Sequence, residues 1–352
     1  MKKKATIKDI ARLAGVSATA VSMALKDHPR ISRTTRERIA DIAKKLDYWP
    51  NSVARSLKSN RSGTLGIVIT SIMNPFYPEL AKGIEDKAME RGYSIILCST
   101  NYDASRQRYF VNILRSKGVD GIIFSSVEID DPHIVPLVED GFPLVLVNRR
   151  TRNKLLEKKI DYVVLDNVAG GYMAMDHLYR LGHRRVALIV GSLTTSTAVE
   201  RTEGAQKALL DCGLTIDPRL VIECNFSWER AYQATIGLLS LSHPPTAIFA
   251  QNDYMALGVR EAILDSGRRI PQDVALVGFD DIAASAIRGV DVTTINQKKY
   301  EMGALAVDIL IQKSEGKGGP VKQIVLPPEI IIRGSCGWRL REAEQTIRPE
   351  SG

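Results

Sequence analysis

The chain has 352 residues, of which 44% are hydrophobic and 25% charged, and its formal net charge is +8. That length exceeds a single core of typical size and calls for two or three domains, while the composition excludes a disordered or fibrous chain. No apolar run approaches the roughly 18 residues that cross a bilayer, and Lys8, Asp9 and Arg12 interrupt the start where a signal peptide would need an apolar core, so a cytoplasmic protein without a membrane partner is expected.

Charge is placed unevenly. Residues 1–62 hold 15 Lys and Arg against 5 Asp and Glu, a net +10, whereas the remainder holds 33 against 35, a net −2. A local excess of that size on helical sequence points to a polyanion partner. The four cysteines, Cys98, Cys212, Cys224 and Cys336, form no CxxC pair and read as free thiols of a reducing compartment. No metal site and no cofactor is expected.

The first sixty residues carry three short helical patterns. Ile7, Ile10, Ala11 and Ala14 repeat at i, i+3, i+4, i+7, with Thr6 and Asp9 spaced as a capping box. Gly15 permits a tight turn, and Ser17 can cap a second helix whose Val21 and Leu25 face inward. Ile39, Ile42, Ala43 and Leu46 mark a third. Helix, glycine turn, helix is the helix-turn-helix pattern, whose second helix enters the major groove. The outward positions predicted for it are Ala18, Thr19, Ser22 and Met23. Asn51 to Lys58 is a short run of good helix formers, marginal as a lone helix in water, and residues 59–63 read as a linker.

From Leu65 the pattern changes. Apolar runs at residues 65–69, 94–97, 121–124, 144–147, 162–165, 186–190, 247–250 and 274–278 alternate with amphipathic stretches such as 79–91 and 170–181. Continuous apolar strands with helices between them predict parallel sheets covered on both faces, and about eight strands fit two doubly wound lobes. A ligand would lie at the strand C-termini.

Two sets of motifs carry a family resemblance. The stretch TIKDIARLAGVSATAVSMALKDHPRISRTTRERIADIAKKLDYWPNSVARSLKS resembles the DNA-binding headpiece of the LacI family in the order A-G-V-S, V-S, T-R, L-x-Y-x-P-N and A-R-S-L. NPFYPELAKGIED, RGYSIIL, VDGIIF, LDNVAGGYMA, LGHRRVALI, PPTAIFAQNDYMALGV and VALVGFDD resemble its periplasmic-binding-protein-like core over essentially the full length. The sequence departs from the family inside the recognition helix, where Ala20, Met23 and Lys26 stand in place of the usual Thr, the frequent Arg and the usual Asn. Met23 cannot donate to guanine.

The resemblance implies an all-α headpiece with a hinge helix, followed by an α/β core of two lobes. The implied division is a headpiece at residues 1–50, hinge and linker at 51–62, a core at 63–340 and a tail at 341–352. Within the core, one lobe takes 63–161 and 293–321 and the other 162–292 and 322–340, with crossings near Asp161, Val292 and Val321. It implies a homodimer on double-stranded operator DNA, with Leu57 wedged into the minor groove. The implied DNA contacts are Thr6, Ser17, Ala18, Thr19, Ser22, Met23, Arg30, Ser32, Thr35, Asn51, Ala54, Arg55, Leu57 and Lys58. The small-molecule effector, a sugar or sugar derivative, would meet Phe76, Tyr77, Ser125, Asn148, Arg149, Thr197, Arg201, Phe226, Asn252 and Asp280. The tail after Trp338 shows no sustained heptad, so a dimer without coiled-coil tetramerisation is expected.

Three rivals are weaker. An enzyme would need chemistry that the sequence does not present: GxSxG, GxxxxGK[ST] and GxGxxG do not occur, and the five His have no metal-ligand spacing. An exported binding protein would carry a signal peptide and no basic headpiece. Control by a protein co-effector would not call for Arg201 and Asp280 in the cleft.

Overall fold

A capping box starts the first helix. The Asp9 N–H donates to Thr6 Oγ1 at 3.4 Å and the Thr6 N–H donates to the Asp9 carboxylate at 3.0 Å, just ahead of α1 (Ile7–Ala14). Gly15 follows at φ 61°. Ser17 then caps α2 (Ala18–Ala24) by accepting from the Ala20 N–H at 3.1 Å, and Ser32 caps α3 (Arg33–Lys45) by accepting from the Thr35 N–H at 3.3 Å. The three helices pack on one another around Ile10, Ala11, Ala14, Val21, Ala24, Ile39 and Ala43. Ile7, Leu25, Ile42 and Leu46 flank that core. Most of these side chains are small, so the apolar burial that holds this unit is modest.

The computed structural model describes residues 5–25, 27–48 and 61–338. The chain divides into two units, Met1–Ser62 and Gly63–Gly352. The hinge at residues 51–58, Lys26 and the tail at 341–352 lie outside the described residues, and so do the expectations placed on them.

The second unit alternates strands and helices. β1 (Thr64–Ile69), α4 (Phe76–Glu90), β2 (Ser94–Ser99), α5 (Ala104–Ser116), β3 (Gly121–Phe124), α6 (Val135–Glu139), β4 (Leu144–Val147) and β5 (Asp161–Leu165) come first. α7 (Asn167–Arg180), β6 (Val186–Val190), α8 (Ser196–Leu210), β7 (Val221–Glu223), α9 (Trp228–Leu239), β8 (Ala247–Ala250), α10 (Asp253–Asp265) and β9 (Ala275–Val277) follow. β10 (Thr294–Asn296), α11 (Lys299–Ser314), β11 (Gln323–Leu326) and β12 (Glu329–Ile331) complete it.

Among the described residues, one parallel sheet has six strands in the order β11-β5-β4-β3-β1-β2, and a second has four in the order β7-β6-β8-β9. β1, β3, β4, β5, β6 and β8 bury every or nearly every side chain, the signature of strands covered on both faces. β10 and β12 form a separate antiparallel ladder. It adjoins the second sheet through bridges at Val277–Thr293 and Asp280–Asn296.

Two lobes therefore form, but the chain crosses between them later than expected. β5 pairs with β4 through Val163, and β11 pairs with β5 through Leu326, so both belong to the first lobe. The crossings follow Leu165, Asn296 and Leu326 rather than Asp161, Val292 and Val321. The reason is the hydrogen-bond ladder: an apolar strand completes its pairing before it leaves the sheet.

In the second lobe α7 and α8 lie unusually close. A Cβ at Gly171 would come within 2.2 Å of the Arg201 carbonyl oxygen, and one at Gly204 within 2.0 Å of the Val168 carbonyl oxygen. Only glycine permits that approach, and it fixes where the Arg201 side chain starts.

Candidate functional site

On the headpiece, α2 turns Thr19 to solvent and leaves Ser22 and Met23 half-buried. Ala18 departs from the outward position expected of it. It lies one helical step of three before Val21, on the flank of the buried stripe, and packs against the headpiece core. Thr6, Ser17, Ser32 and Arg30 are exposed, and Thr35 shares a 2.8 Å hydroxyl contact with Ser32. Capping uses the oxygen of Ser17 as acceptor and leaves its O–H free to donate, which is the polarity that a phosphate oxygen requires. Asn51, Ala54, Arg55, Leu57 and Lys58 lie outside the described residues.

In the larger unit, a cleft opens where the parallel strands of both lobes end. Nine of the ten expected effector residues line one small chamber at its floor. Phe76, Tyr77, Asn148 and Arg149 enter it from the first lobe, and Thr197, Arg201, Phe226, Asn252 and Asp280 from the second. Ser125 does not. Its side chain lies beneath the floor, fully buried, while its carbonyl accepts from the Tyr77 hydroxyl at 3.4 Å. Strand alternation turns its neighbour Ser126 to the cleft instead.

The chamber has a volume of only about 20 Å³. Its walls are engaged with one another. Arg201 is sandwiched: its Nε donates to Asn167 at 2.9 Å, Nη1 donates to the Gln251 carbonyl, and the guanidinium lies 3.7 Å from the centre of the Phe279 ring. Asp280 accepts from the Gln297 amide and stands 3.9 Å from Arg201. Arg149 lies over Phe226 at 5.4 Å, and Phe76 meets Tyr77 edge-on at 5.2 Å. Asn148, Phe226 and Asp280 hold φ of 65°, 58° and 129°, a left-handed region that non-glycine residues occupy at a cost.

Burial dominates the electrostatics here. It pushes the Asp280 carboxyl up to about 7, against the pull of Arg201, and pushes Arg201 down to about 10. Asp253, next to the floor, is raised by burial too, but it accepts from the Thr294 and Ser285 hydroxyls at 2.6 and 2.7 Å and from the Ile282 N–H at 3.0 Å. Those bonds make Asp253 a structural carboxyl. The floor is the less satisfied place: Asn148 Oδ1, Arg149 Nε and Gln297 Oε1 are buried without hydrogen-bond partners, as is Ser125 Oγ beneath it. Such atoms are rare in native proteins, and here several of them gather at one floor.

Above the floor lies a second, larger chamber of about 630 Å³, joined to it by Asn74, Arg149 and Phe226. Sequence reasoning missed most of its walls. Thr100, Tyr102, Asp103 and Gln107 come from the β2–α5 connection and α5, and Ser126, Glu128, Asp131 and His133 from the loop after β3. Thr194, Thr195, Asn225, Ser227, Glu229 and Arg230 come from the second lobe. One signal was available: Asp103, Thr195 and Ser227 are helix caps directly after strands, accepting from the N–H groups of Ser105, Ala198 and Arg230. Caps of helices that follow parallel strands lie by construction at the ligand edge of the sheet.

Polar contacts cross the cleft. The Ile129 N–H donates to the Thr194 carbonyl at 2.8 Å, and the Thr194 hydroxyl donates to Glu128 at 2.9 Å. Arg150 donates to buried Glu200 at 2.8 Å, and Arg152 donates to Glu203 at 3.1 Å. Arg149 and Arg150 are neighbours, and so are Glu200 and Arg201, so two of the floor residues each sit beside a residue that ties the lobes.

Comparison with known proteins agrees with this architecture. Residues 6–51 match the family described as bacterial regulatory proteins, lacI family, and residues 62–327 match periplasmic binding proteins and sugar binding domain of LacI family. The HTH-type transcriptional repressor PurR of Aliivibrio fischeri (strain ATCC 700601 / ES114) is 33% identical over 341 residues, which cover 96% of this chain and all of that one. The lac repressor dimer bound to operator and the anti-inducer ONPF aligns with TM-score 0.82 at 28% identity, over 95% of this chain and 99% of that one. A transcriptional regulator CelR–cellobiose complex aligns with TM-score 0.71 at 31% identity, over 94% and 99%.

Proposed function

The chain belongs to the LacI family of DNA-binding transcriptional regulators, not to an enzyme family, and from that premise we propose that it is a cytoplasmic repressor whose hold on its operator is set by a sugar or sugar derivative bound between the lobes. One observation carries the effector part: a buried Arg201–Asp280 pair whose attraction does not offset its burial, set among polar atoms without partners at the strand C-termini. A ligand with several hydroxyls supplies donors and acceptors to both charges and to the orphaned atoms. The CelR neighbour, described as a complex with cellobiose, supports a sugar.

The DNA part rests on the headpiece. Its basic surplus supplies affinity for phosphates, and Thr19, Ser22 and Met23 are the side chains of α2 proposed to meet base edges. We assign the hinge role to residues 51–58 and the wedge to Leu57, on the resemblance described above. Two copies of the chain would place two headpieces on a two-fold operator, as in the lac repressor dimer bound to operator. Effector acts by binding one lobe arrangement better than another.

The test is fluorescence anisotropy on DNA from the regulator's own promoter, with and without a panel of sugars, purines and nucleosides. One compound is expected to shift operator affinity in the intact chain and to leave that of Arg201→Ala unmoved. A shift that survives Arg201→Ala would overturn the assignment of the cleft.

A further inference from the structure

We infer that the body of the effector occupies the outer chamber, and that the effector is an uncharged glycoside of two or more linked sugar rings. This rests on the reading of the cleft as an effector site and names the ligand class that the site fits. The first observation is room. The floor chamber, about 20 Å³, holds little more than one water, whereas the outer one, about 630 Å³, lies well within the roughly 300–1,000 Å³ range of small-molecule sites.

The second observation is a built polar wall. Ser126 donates to Gln107 at 2.6 Å and Gln107 donates to Asp131 at 2.6 Å, with all three side chains buried to at least nine-tenths and lining the chamber. That chain fixes the orientation of the Gln107 amide. Its second N–H and the remaining lone pairs of Asp131 are left for a ligand's hydroxyls.

The third observation concerns rings. The edge strands of the two sheets, β2 and β7, are each followed by an Asn–aromatic pair in the left-handed region. Asn101 and Tyr102 have φ of 52° and 61°, and Asn225 and Phe226 have φ of 52° and 58°. Both aromatics line the outer chamber, one from each lobe. Tyr102, half exposed, offers a ring face to a sugar, while the Phe226 ring is already covered by Arg149 and bounds the chamber where it joins the floor.

The fourth observation is charge. Asp103, Glu128, Asp131 and Glu229 line the chamber against Arg149 and Arg230, so carboxylates outnumber guanidiniums. The helix N-termini that face it are already capped by Asp103, Thr195 and Ser227. A phosphate would meet net repulsion and find those caps occupied.

The experiment is calorimetry on the full chain. The probes are cellobiose, maltose, lactose, sucrose, trehalose and raffinose, with glucose, galactose and fructose, glucose 6-phosphate and fructose 6-phosphate, and adenosine and guanosine. One neutral di- or trisaccharide is expected to bind at least about tenfold tighter than its component sugars and their phosphates. Tyr102→Ala and Gln107→Ala, checked for folding by their melting curves and accompanied by Tyr102→Phe, are each expected to bring that ratio below about threefold, with Tyr102→Phe retaining it. A single sugar that binds as tightly as any disaccharide, or a ratio that survives both variants, would overturn the outer-chamber assignment and leave the cleft reading standing. Tightest binding by a sugar phosphate or nucleoside would overturn the chemical class. Silence from every probe, with operator affinity unmoved by any of them, would overturn the small-molecule reading itself.

Discussion

The Asp280 carboxylate stands 3.9 Å from the Arg201 guanidinium, and each side chain is about 98% removed from water. Burial opposes the charge of both partners, holding the acid well above and the base below its ordinary range. A pair of this kind contributes little to stability on its own. It gains when a ligand adds hydrogen bonds to the same atoms, which is what a sensor needs.

Asp280 should make stability depend on pH. An unfolded Asp titrates near 3.9, and the folded one near 7. Between those values the native state keeps a proton that the unfolded chain has lost. Stability from this group is therefore full below about 4 and declines as pH rises through the window to about 7. Asp280→Asn should remove the decline. Urea unfolding at pH 5 and pH 8 should show the native chain losing on the order of 1–3 kcal/mol relative to the variant. Parallel curves for the two chains would contradict it.

Gly191→Ala should disturb the floor without touching a polar group. Its Cβ would come within 2.1 Å of the Phe226 ring. Overpacking of this kind costs about 1–3 kcal/mol, and the displaced ring should lower ligand affinity by at least about tenfold. Gly237→Ala, whose Cβ would meet nothing within 4 Å, should instead leave affinity unchanged and raise stability by about 0.5–1 kcal/mol. Melting curves and calorimetry on both variants decide it, and equal effects would refute the steric account.

Arg150→Ala should loosen the lobes. Glu200 is nearly fully buried and would keep only the Asn167 amide at 3.3 Å and Arg152 at 3.8 Å. Since Arg150 is partly exposed, the cost is about 1–3 kcal/mol rather than that of a fully buried pair. Adding Glu200→Gln should recover most of it. Small-angle scattering should show a larger radius for the single variant, and an unchanged radius would mean that the pair does not hold the lobes together.

Operator binding should weaken steeply with salt, with a log–log slope of roughly −0.9 per phosphate contact. Arg30→Ala should reduce the magnitude of that slope by about 1 and weaken operator and random DNA alike. Selective loss on operator would assign Arg30 to a base instead.

The long, fully buried strands and the headpiece caps were legible because periodicity and capping are local. Thr6, Ser17 and the apolar faces of α1 and α3 needed nothing from the rest of the chain. β7, β10 and β12 were not legible: each is three residues long and only partly buried, so no continuous apolar run marks it, and it exists through its partner strand. The floor of the cleft was legible through motif resemblance, as with Arg201 and Asp280. The outer chamber was not. Gln107 and Asp131 are 24 residues apart and meet only in three dimensions, and nothing local separates them from surface residues.

The hydrogen bonds that join Ile129 and Glu128 to Thr194 tie one lobe to the other across the cleft, and they have a kinetic consequence. Where release of an occupant calls for the lobes to part, its residence time is set by how often those bonds open, a motion of microseconds to milliseconds. Entry is slowed by the same gate, in proportion to the fraction of time that it stands open. A weakened gate, as in Thr194→Ala, should speed exchange in both directions, so that the regulator answers a falling effector concentration sooner even where its equilibrium response is little altered.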